Sequence, residues 1–397
     1  MRIVMIHNRY QQSGGEDHVL RAETELLRAR GHEVESVEEN NDAIVRWTAA
    51  AKAAIDCVYS FASARSLGKL IDDFRPDVAH IHNFFPRLSP SVHYACHQAG
   101  VPVVQTLHNY RLLCPGATLF REGKVCEDCT RTMVPWPAIA HACYRDSRTA
   151  SAAVANMLAI HRAVGTWTRT VSRFITPTEF ARNKFIEGGL PAGRIAVKAN
   201  FLSQDPGMGT GNGNYALFVG RLSQEKGLDT LLDAWRQLKA RVPLKIVGEG
   251  PLAPMVKQAA AALPDVQWLG PRNHEEVLRL MADAALLVIP NHSYETFGMV
   301  AMEAFAVGLP VLASRLGALA ELVRDGVTGK LFAAGSSEAL AATVEWAITY
   351  PDELGAMRRN ARLEFESRYT ADANYSQLIR IYESARGDNR ARKSEAK

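Results

Sequence analysis

Short apolar runs alternate with amphipathic stretches twice along this chain, and that alternation restricts the fold more than any other feature. In the first half the runs at residues 3–6, 78–82 and 101–107 are separated by helical patterns such as the one around 19–30. Strands interleaved with helices form parallel sheets, because a parallel connection must cross back over the sheet face. Residues 47–74 carry apolar positions at mixed three and four spacings, as one or two helices packed on a sheet would. Residues 203–214 are rich in Gly, Asn and Pro and can sustain neither a helix nor a central strand. The alternation then restarts, with apolar runs at 215–219, 244–247, 266–269, 285–290 and 311–314 and helical patterns between them. The expected organisation is a first doubly wound domain over 1–202 with a cysteine-containing insertion at about 111–145, a second over 203–370, and a C-terminal helix with a frayed charged tail over 371–397.

With 397 residues, 22 % of them charged, the chain has the composition of an ordinary globular protein, which excludes a disordered one. Its formal charge of +4 is too small to argue for nucleic acid, though it suits an anionic membrane surface. The first apolar run stops at His7-Asn8, too early for a signal peptide, and no uncharged apolar stretch approaches twenty residues. A cytoplasmic protein, with peripheral contact to the inner face of the membrane, is the expectation.

Ligands of doubly wound sheets sit at the carboxyl ends of the strands, so the residues that follow the apolar runs carry the chemistry. After 215–219 comes Gly220-Arg221-Leu222-Ser223-Gln224-Glu225-Lys226-Gly227, two cations in a loop that opens a helix. Free N–H groups and fixed positive charge aimed at one place make a phosphate site. Alone, such cations are as readily solvated surface charges. After 244–247 comes Gly248-Glu249-Gly250-Pro251, whose glycines allow a ligand close to the backbone but do not form the Gly-x-Gly-x-x-Gly fingerprint. After 285–290 comes Glu295-Thr296-Phe297-Gly298-Met299, with Glu303 further along. Here one carboxylate in a loop and one on a helix frame a glycine-marked helix start, an arrangement suited to sugar hydroxyls, a diphosphate and ribose hydroxyls.

Together these motifs resemble family four of the retaining glycosyltransferases, which have the GT-B fold: two facing Rossmann-like domains with the active site in the cleft between them. The resemblance spans most of the chain. It implies that Glu295 lies beside the donor sugar, that Glu303 binds the nucleotide ribose, and that Arg221 and Lys226 hold the diphosphate. Thr296, Phe297, Gly298, Met299 and Gly248 complete the implied donor site. Gly14-Gly15, after the first strand, is similar to the family's glycine loop, and His108, after 101–107, to a histidine that faces the donor sugar. Glu295, His108, Arg221 and Lys226 are thereby the implied catalytic set. No Asp-x-Asp follows a strand, so no catalytic metal is expected. The implied donor is a UDP- or GDP-sugar and the implied acceptor a glycan or lipid-linked glycan, as in surface polysaccharide synthesis.

Cys114, Cys126, Cys129 and Cys143 follow His108 in one irregular stretch. They could form a tetrahedral structural zinc site, or be four reduced thiols in a packed insertion. Between Arg131 and Arg173 six arginines stand against one acidic residue, Asp146, with Trp136 and Trp167 interleaved. Contact with anionic headgroups and a solvated helix pair are equally good readings of that stretch. A nucleotide-sugar-binding protein without activity remains the alternative, although every group it would be expected to lack is present. Phosphorylase and epimerase patterns are missing, and a dehydrogenase is disfavoured by the absent glycine fingerprint.

Overall fold

The computed structural model describes residues 1–9, 14–40 and 55–395, the last few of them as helical backbone only. The part of the 47–74 pattern before residue 55 lies outside the described residues, and its remainder contains the helix Phe61–Phe74. The chain divides into two compact units, one of residues 1–119, 127–200 and 371–397, the other of residues 120–126 and 201–370.

The first unit is built on a parallel six-stranded sheet. In chain order its strands are β1 (Arg2–Arg9), β2 (Glu33–Asn40), β3 (Val78–Asn83), β4 (Val103–Thr106), β7 (Val171–Thr176) and β8 (Ile195–Val197). The short hairpin β5 (Phe120–Arg121) and β6 (Lys124–Val125) stands apart from it. The spatial order is β2-β1-β3-β4-β7-β8, which puts the topological switch between β1 and β3. β3 is buried along its whole length, as a central strand covered on both faces must be. β2 reads Glu-Val-Glu-Ser-Val-Glu-Glu-Asn, with no apolar run to reveal it. It is an edge strand held in register with β1, Val34 opposite Ile3, and Val34 is its one fully buried side chain.

The helix Ala371–Glu395 belongs to the first unit, where Leu378, Ile381, Tyr382 and Ala385 share a core with Ile3, Met5, Val78, Val104 and Ile175. The expectation of a frayed tail at the end of 371–397 is corrected: the helix continues to Glu395. Its polar residues find partners at the strand-entry end of the sheet, Arg386 donating to Asp77 at 3.0 Å and Asn389 to the Gly100 carbonyl at 2.8 Å.

The second unit has the strands β9 (Ala216–Val219), β10 (Leu244–Val247), β11 (Val266–Gly270), β12 (Leu286–Ile289), β13 (Val311–Ser314) and β14 (Gly329–Phe332), all parallel. Their order, β11-β10-β9-β12-β13-β14, is that of a Rossmann fold, with the switch between β9 and β12. The Gly-rich stretch that precedes β9 is bonded into this unit. The N–H groups of Gly209, Gly211 and Gly213 donate to the carbonyls of Val307, Ala282 and Asp283. A Cβ at Gly209 would stand 2.3 Å from the Ala282 oxygen, so this stretch can lie against its neighbour only without side chains.

Candidate functional site

The loops after β9 and β12 leave neighbouring strands at the switch, where the next crossovers run to opposite sides and open a crevice. Gly227 locks them together. Its φ is +67°, and a Cβ there would meet the Pro290 carbonyl oxygen at 1.9 Å, so only glycine lets the two backbones touch. The His292 N–H donates to the Glu225 carbonyl at 2.9 Å across the same seam. This close approach brings Lys226 and Glu295 into an ion pair, and Asn291 donates to the same Glu295 oxygen at 2.7 Å. Burial works against both charges. The pairing outweighs it, holding the Glu295 carboxyl below its usual range and the Lys226 ammonium above its own. Both groups stay charged at neutral pH. Arg221, at the start of the first loop, is exposed.

Gly298, at φ +111°, caps the helix Met299–Ala306 that follows the second loop. The first N–H groups of that helix carry its positive dipole end toward the crevice. Thr296 and Met299 are half-buried beside the cap, whereas Phe297 is buried edge-on against Tyr369 at 5.8 Å and anchors the loop. At Gly248 a Cβ would sit 1.9 Å from the Gly220 oxygen, so this glycine makes room for the β9 loop.

Glu303, one helix turn on, has the His274 imidazole 3.7 Å away, and burial pushes its carboxyl up to about 7. An unfolded chain titrates this group near 4.5, so the folded protein holds the proton more tightly. The stability this lends is complete below pH 4.5 and is lost as pH rises through 7, a difference on the order of 3 kcal/mol. Glu303→Gln, which cannot ionise, should therefore melt above the wild type at pH 8 and level with it near pH 4.5. Equal melting temperatures at both pH values would show that Glu303 is not desolvated.

In the first unit, His108 lies two residues past β4, with its Nε2 2.9 Å from His82 Nδ1 and the two rings stacked. Burial, followed by the charge of neighbouring His7, His80 and Lys198, holds both imidazoles of the pair well below their ordinary pKa, so they are neutral. Behind them is a network that sequence reading missed. Lys198 Nζ bonds Glu23 Oε1 at 2.6 Å, and Glu23 Oε2 stands 3.5 Å from His82 Nε2. A carboxylate facing Nε2 favours a proton there, which makes His82 Nδ1 the acceptor and His108 Nε2–H the donor. Glu23, His80 and His82 are close enough to share an ion. However, Lys198 already supplies the positive charge, and His80 spends both nitrogens on Tyr382 and Thr106, at 2.8 and 2.7 Å.

Gly14 is the extended cap of the helix Gly15–Ala29, and its N–H donates to Asp17 Oδ2 at 2.8 Å. The other Asp17 oxygen takes His7 Nε2 at 2.8 Å, which ties the glycine turn to β1. Glu16, which sequence reading also passed over, accepts from Asn83 at 3.1 Å and Asn109 at 3.2 Å, at the ends of β3 and β4. Burial, aided by Asp17, raises its carboxyl to about 8. The signal was an acidic pair directly after Gly14-Gly15, where a helix N-terminus welcomes negative charge.

None of the six cysteines is in a disulfide. The Cys114 sulfur and the Cys143 side chain flank Gly116, 3.6 and 3.8 Å from where its Cβ would be. In the basic stretch, Arg162 is committed to the carbonyls of Leu112 and Leu113 at 2.8 and 3.1 Å, while Met133, Val134 and Trp136 are exposed. Among the described residues no helix is long and apolar enough to cross a membrane.

Comparison with known proteins gives two family matches: residues 208–364 to glycosyl transferases group 1, and residues 14–200 to the glycosyl transferase 4-like domain. An uncharacterized glycosyltransferase of Methanocaldococcus jannaschii is 32 % identical over 166 residues, 41 % of this chain and 46 % of that protein. A phosphatidyl-myo-inositol mannosyltransferase of Mycobacterium leprae is 35 % identical over 176 residues, 43 % of this chain and 47 % of that protein. The alignments thus span about half the length of these relatives. Among solved structures, HepE of Anabaena in complex with UDP superposes with a TM-score of 0.68 at 20 % identity, covering 97 % of this chain and all of that one.

Proposed function

The chain belongs to the group 1 glycosyltransferases of GT-B fold, and on that premise we propose that it moves a sugar from a UDP- or GDP-sugar to a glycan or lipid-linked acceptor, with retention of configuration and no catalytic metal. The observation that carries this reading is the seam at the β9/β12 switch, where Gly227 against Pro290 delivers Lys226 to Glu295 beside the helix start at Gly298. In that crevice Arg221, Lys226 and the helix dipole hold the donor diphosphate, Glu303 accepts from the ribose hydroxyls, and Glu295 accepts from the sugar. Binding the diphosphate gives Lys226 a second anion to neutralise. As the glycosidic bond to phosphate breaks, the negative charge grows where these cations already point, so their stabilisation is greatest in the transition state.

In the first unit, His108 contributes a neutral ring of fixed tautomer at a strand end, and Gly14-Gly15 keep the backbone open to the donor phosphate. The leaving diphosphate takes the acceptor proton as the new bond forms on the face the old one leaves. HepE, solved with UDP, supports a uridine donor, and the Mycobacterium leprae relative, named for a phosphatidylinositol acceptor, supports a lipid one. The setting we propose is surface polysaccharide synthesis at the inner face of the membrane. We assign Cys114, Cys126, Cys129 and Cys143 to a structural zinc that orders their segment, so metal analysis of chelator-free protein should find one zinc per chain.

Melting shifts with UDP, GDP and ADP identify the base, since the ligand that binds the native state raises the midpoint. Transfer from the matching α-linked donor, run in chelator and read by proton NMR, should then yield an α-glycoside. A β-glycoside, or activity that returns only with added magnesium or manganese, would overturn this mechanism. Binding without any turnover would favour a nucleotide-sugar-binding protein instead.

A further inference from the structure

The ion pair between Glu23 and Lys198 is buried on both sides, with Nζ 2.6 Å from Oε1. Such a pair is a poor source of stability. Taking two charges out of water costs about as much as their attraction returns, and apolar side chains of the same shape usually serve a core as well. Its place in the fold says more than its strength. Strand geometry turns His80 and His82, two residues apart on β3, to one face, with ring centroids 4.2 Å apart. Glu23, on the helix Gly15–Ala29, brings Oε2 to 3.7 Å from His80 Nδ1 and 3.5 Å from His82 Nε2. His80 is already bonded through both nitrogens, whereas His82 is not.

Among the described residues, Glu23 Oε2 and His82 Nε2 each lack a hydrogen-bond partner, and both atoms are sealed from solvent. Facing each other, they can be satisfied only together, and an approach of about 0.6 Å would turn the contact into a hydrogen bond. A His82 proton placed on Nδ1 would instead set the Nε2 lone pair against those of the carboxylate. The acid therefore selects the tautomer of His82, and His82 Nδ1, 2.9 Å from His108 Nε2, passes the selection on. With its own proton on Nε2, the His108 ring carries its lone pair on Nδ1 and can accept there but not donate.

We propose that Glu23 is a positioning residue for sugar transfer: through His82 it decides which nitrogen of His108 carries the proton, and Lys198 holds its carboxylate in place. The role rests on the transferase reading, in which His108 faces the donor sugar, and adds to it two residues that touch no substrate. It also accounts for a buried ion pair that the core does not need.

Nitrogen-15 spectra of the full chain labelled at histidine, assigned through His82→Gln and His108→Gln, should show both rings protonated at Nε2 alone. Glu23→Leu by itself would strand the Lys198 ammonium and test only the core. Glu23→Leu combined with Lys198→Met removes both charges and should melt within a few degrees of the wild type. Its affinity for nucleotide and its KM for donor should stay within about twofold, while kcat for donor turnover falls about tenfold or more, as expected when a histidine is left in the wrong tautomer. Its spectra should show the protons moved to Nδ1, since a buried N–H without an acceptor at Nε2 is costly. Nδ1 protonation of either ring in the wild type would overturn the relay. An unchanged kcat in the double variant, or a lowered kcat with unchanged tautomers, would do the same. A double variant unable to fold would overturn it too, by showing that the pair serves the core. The spectra need no turnover, and the nucleotide melting shifts report on the transferase reading alone, so the two can fail separately.

Discussion

A chain ended after Thr370 should fail to accumulate as folded, soluble protein. The deletion removes Leu378, Ile381, Tyr382 and Ala385 from the core beneath β1, β3, β4 and β7. Each large buried side chain contributes roughly 1.5–3 kcal/mol, so together they approach the roughly 5–15 kcal/mol that hold a typical domain. Polar losses come on top. His80 Nδ1 loses the Tyr382 hydroxyl at 2.8 Å, and Asp77 and the Gly100 carbonyl lose Arg386 and Asn389. Tyr382→Phe isolates one of these bonds. It should cost about 1–3 kcal/mol, because the buried imidazole is left short of a partner. Circular dichroism melting and gel filtration check both. A truncated protein melting within a few degrees of the full chain would show that the helix is only an appendage.

Lys226→Met should lower kcat/KM by about 10²–10³, the loss typical when one preorganised electrostatic group is removed from a transition state. The expected stability cost is much smaller. Both partners of the Lys226–Glu295 pair are 26 % exposed, so water screens the stranded carboxylate, and about 1 kcal/mol is a reasonable figure. Glu295→Gln makes the informative contrast. It releases Lys226 from its internal partner, so affinity for the free nucleoside diphosphate should hold or rise while kcat falls, if Glu295 faces the sugar as proposed. Glu303→Gln should do the opposite, weakening nucleotide binding while leaving the Lys226–Glu295 pair intact. Nucleotide titrations and steady-state kinetics on the three variants separate these effects. Lys226→Met retaining kcat/KM within threefold would remove Lys226 from the mechanism.

The second unit was legible because its strands are buried and apolar, so the residues directly after them could be picked out. Glu295, Glu303, Gly298 and Lys226 all follow such runs, and the loops that hold Lys226 and Glu295 do meet. What escaped was whatever depends on pairing between distant positions. β2 has an edge strand's polar face, and only its register with β1 makes it a strand. Glu23 and Lys198 are 175 positions apart, and each alone looks like a surface charge, yet together they sit buried behind His82, the ring to which His108 donates. At Gly248 the sequence shows that space is needed but not that the Gly220 backbone takes it up. The charged tail looks frayed in sequence because Asp77 and Gly100, which receive Arg386 and Asn389, lie 309 and 289 positions earlier.

The C-terminal helix also puts the two units in a definite order during synthesis. The strands of the second unit are complete once the ribosome has passed Phe332, and its remaining helices follow directly along the chain. The first unit is translated earlier but must wait, one face of its sheet covered only in part by the helix Gly15–Ala29, until the 25-residue helix Ala371–Glu395 is made. Domains usually fold from the N-terminus onward as they emerge. Here the order is inverted: the half made first closes last, and throughout elongation it offers β1, β3, β4 and β7 to chaperones or to aggregation.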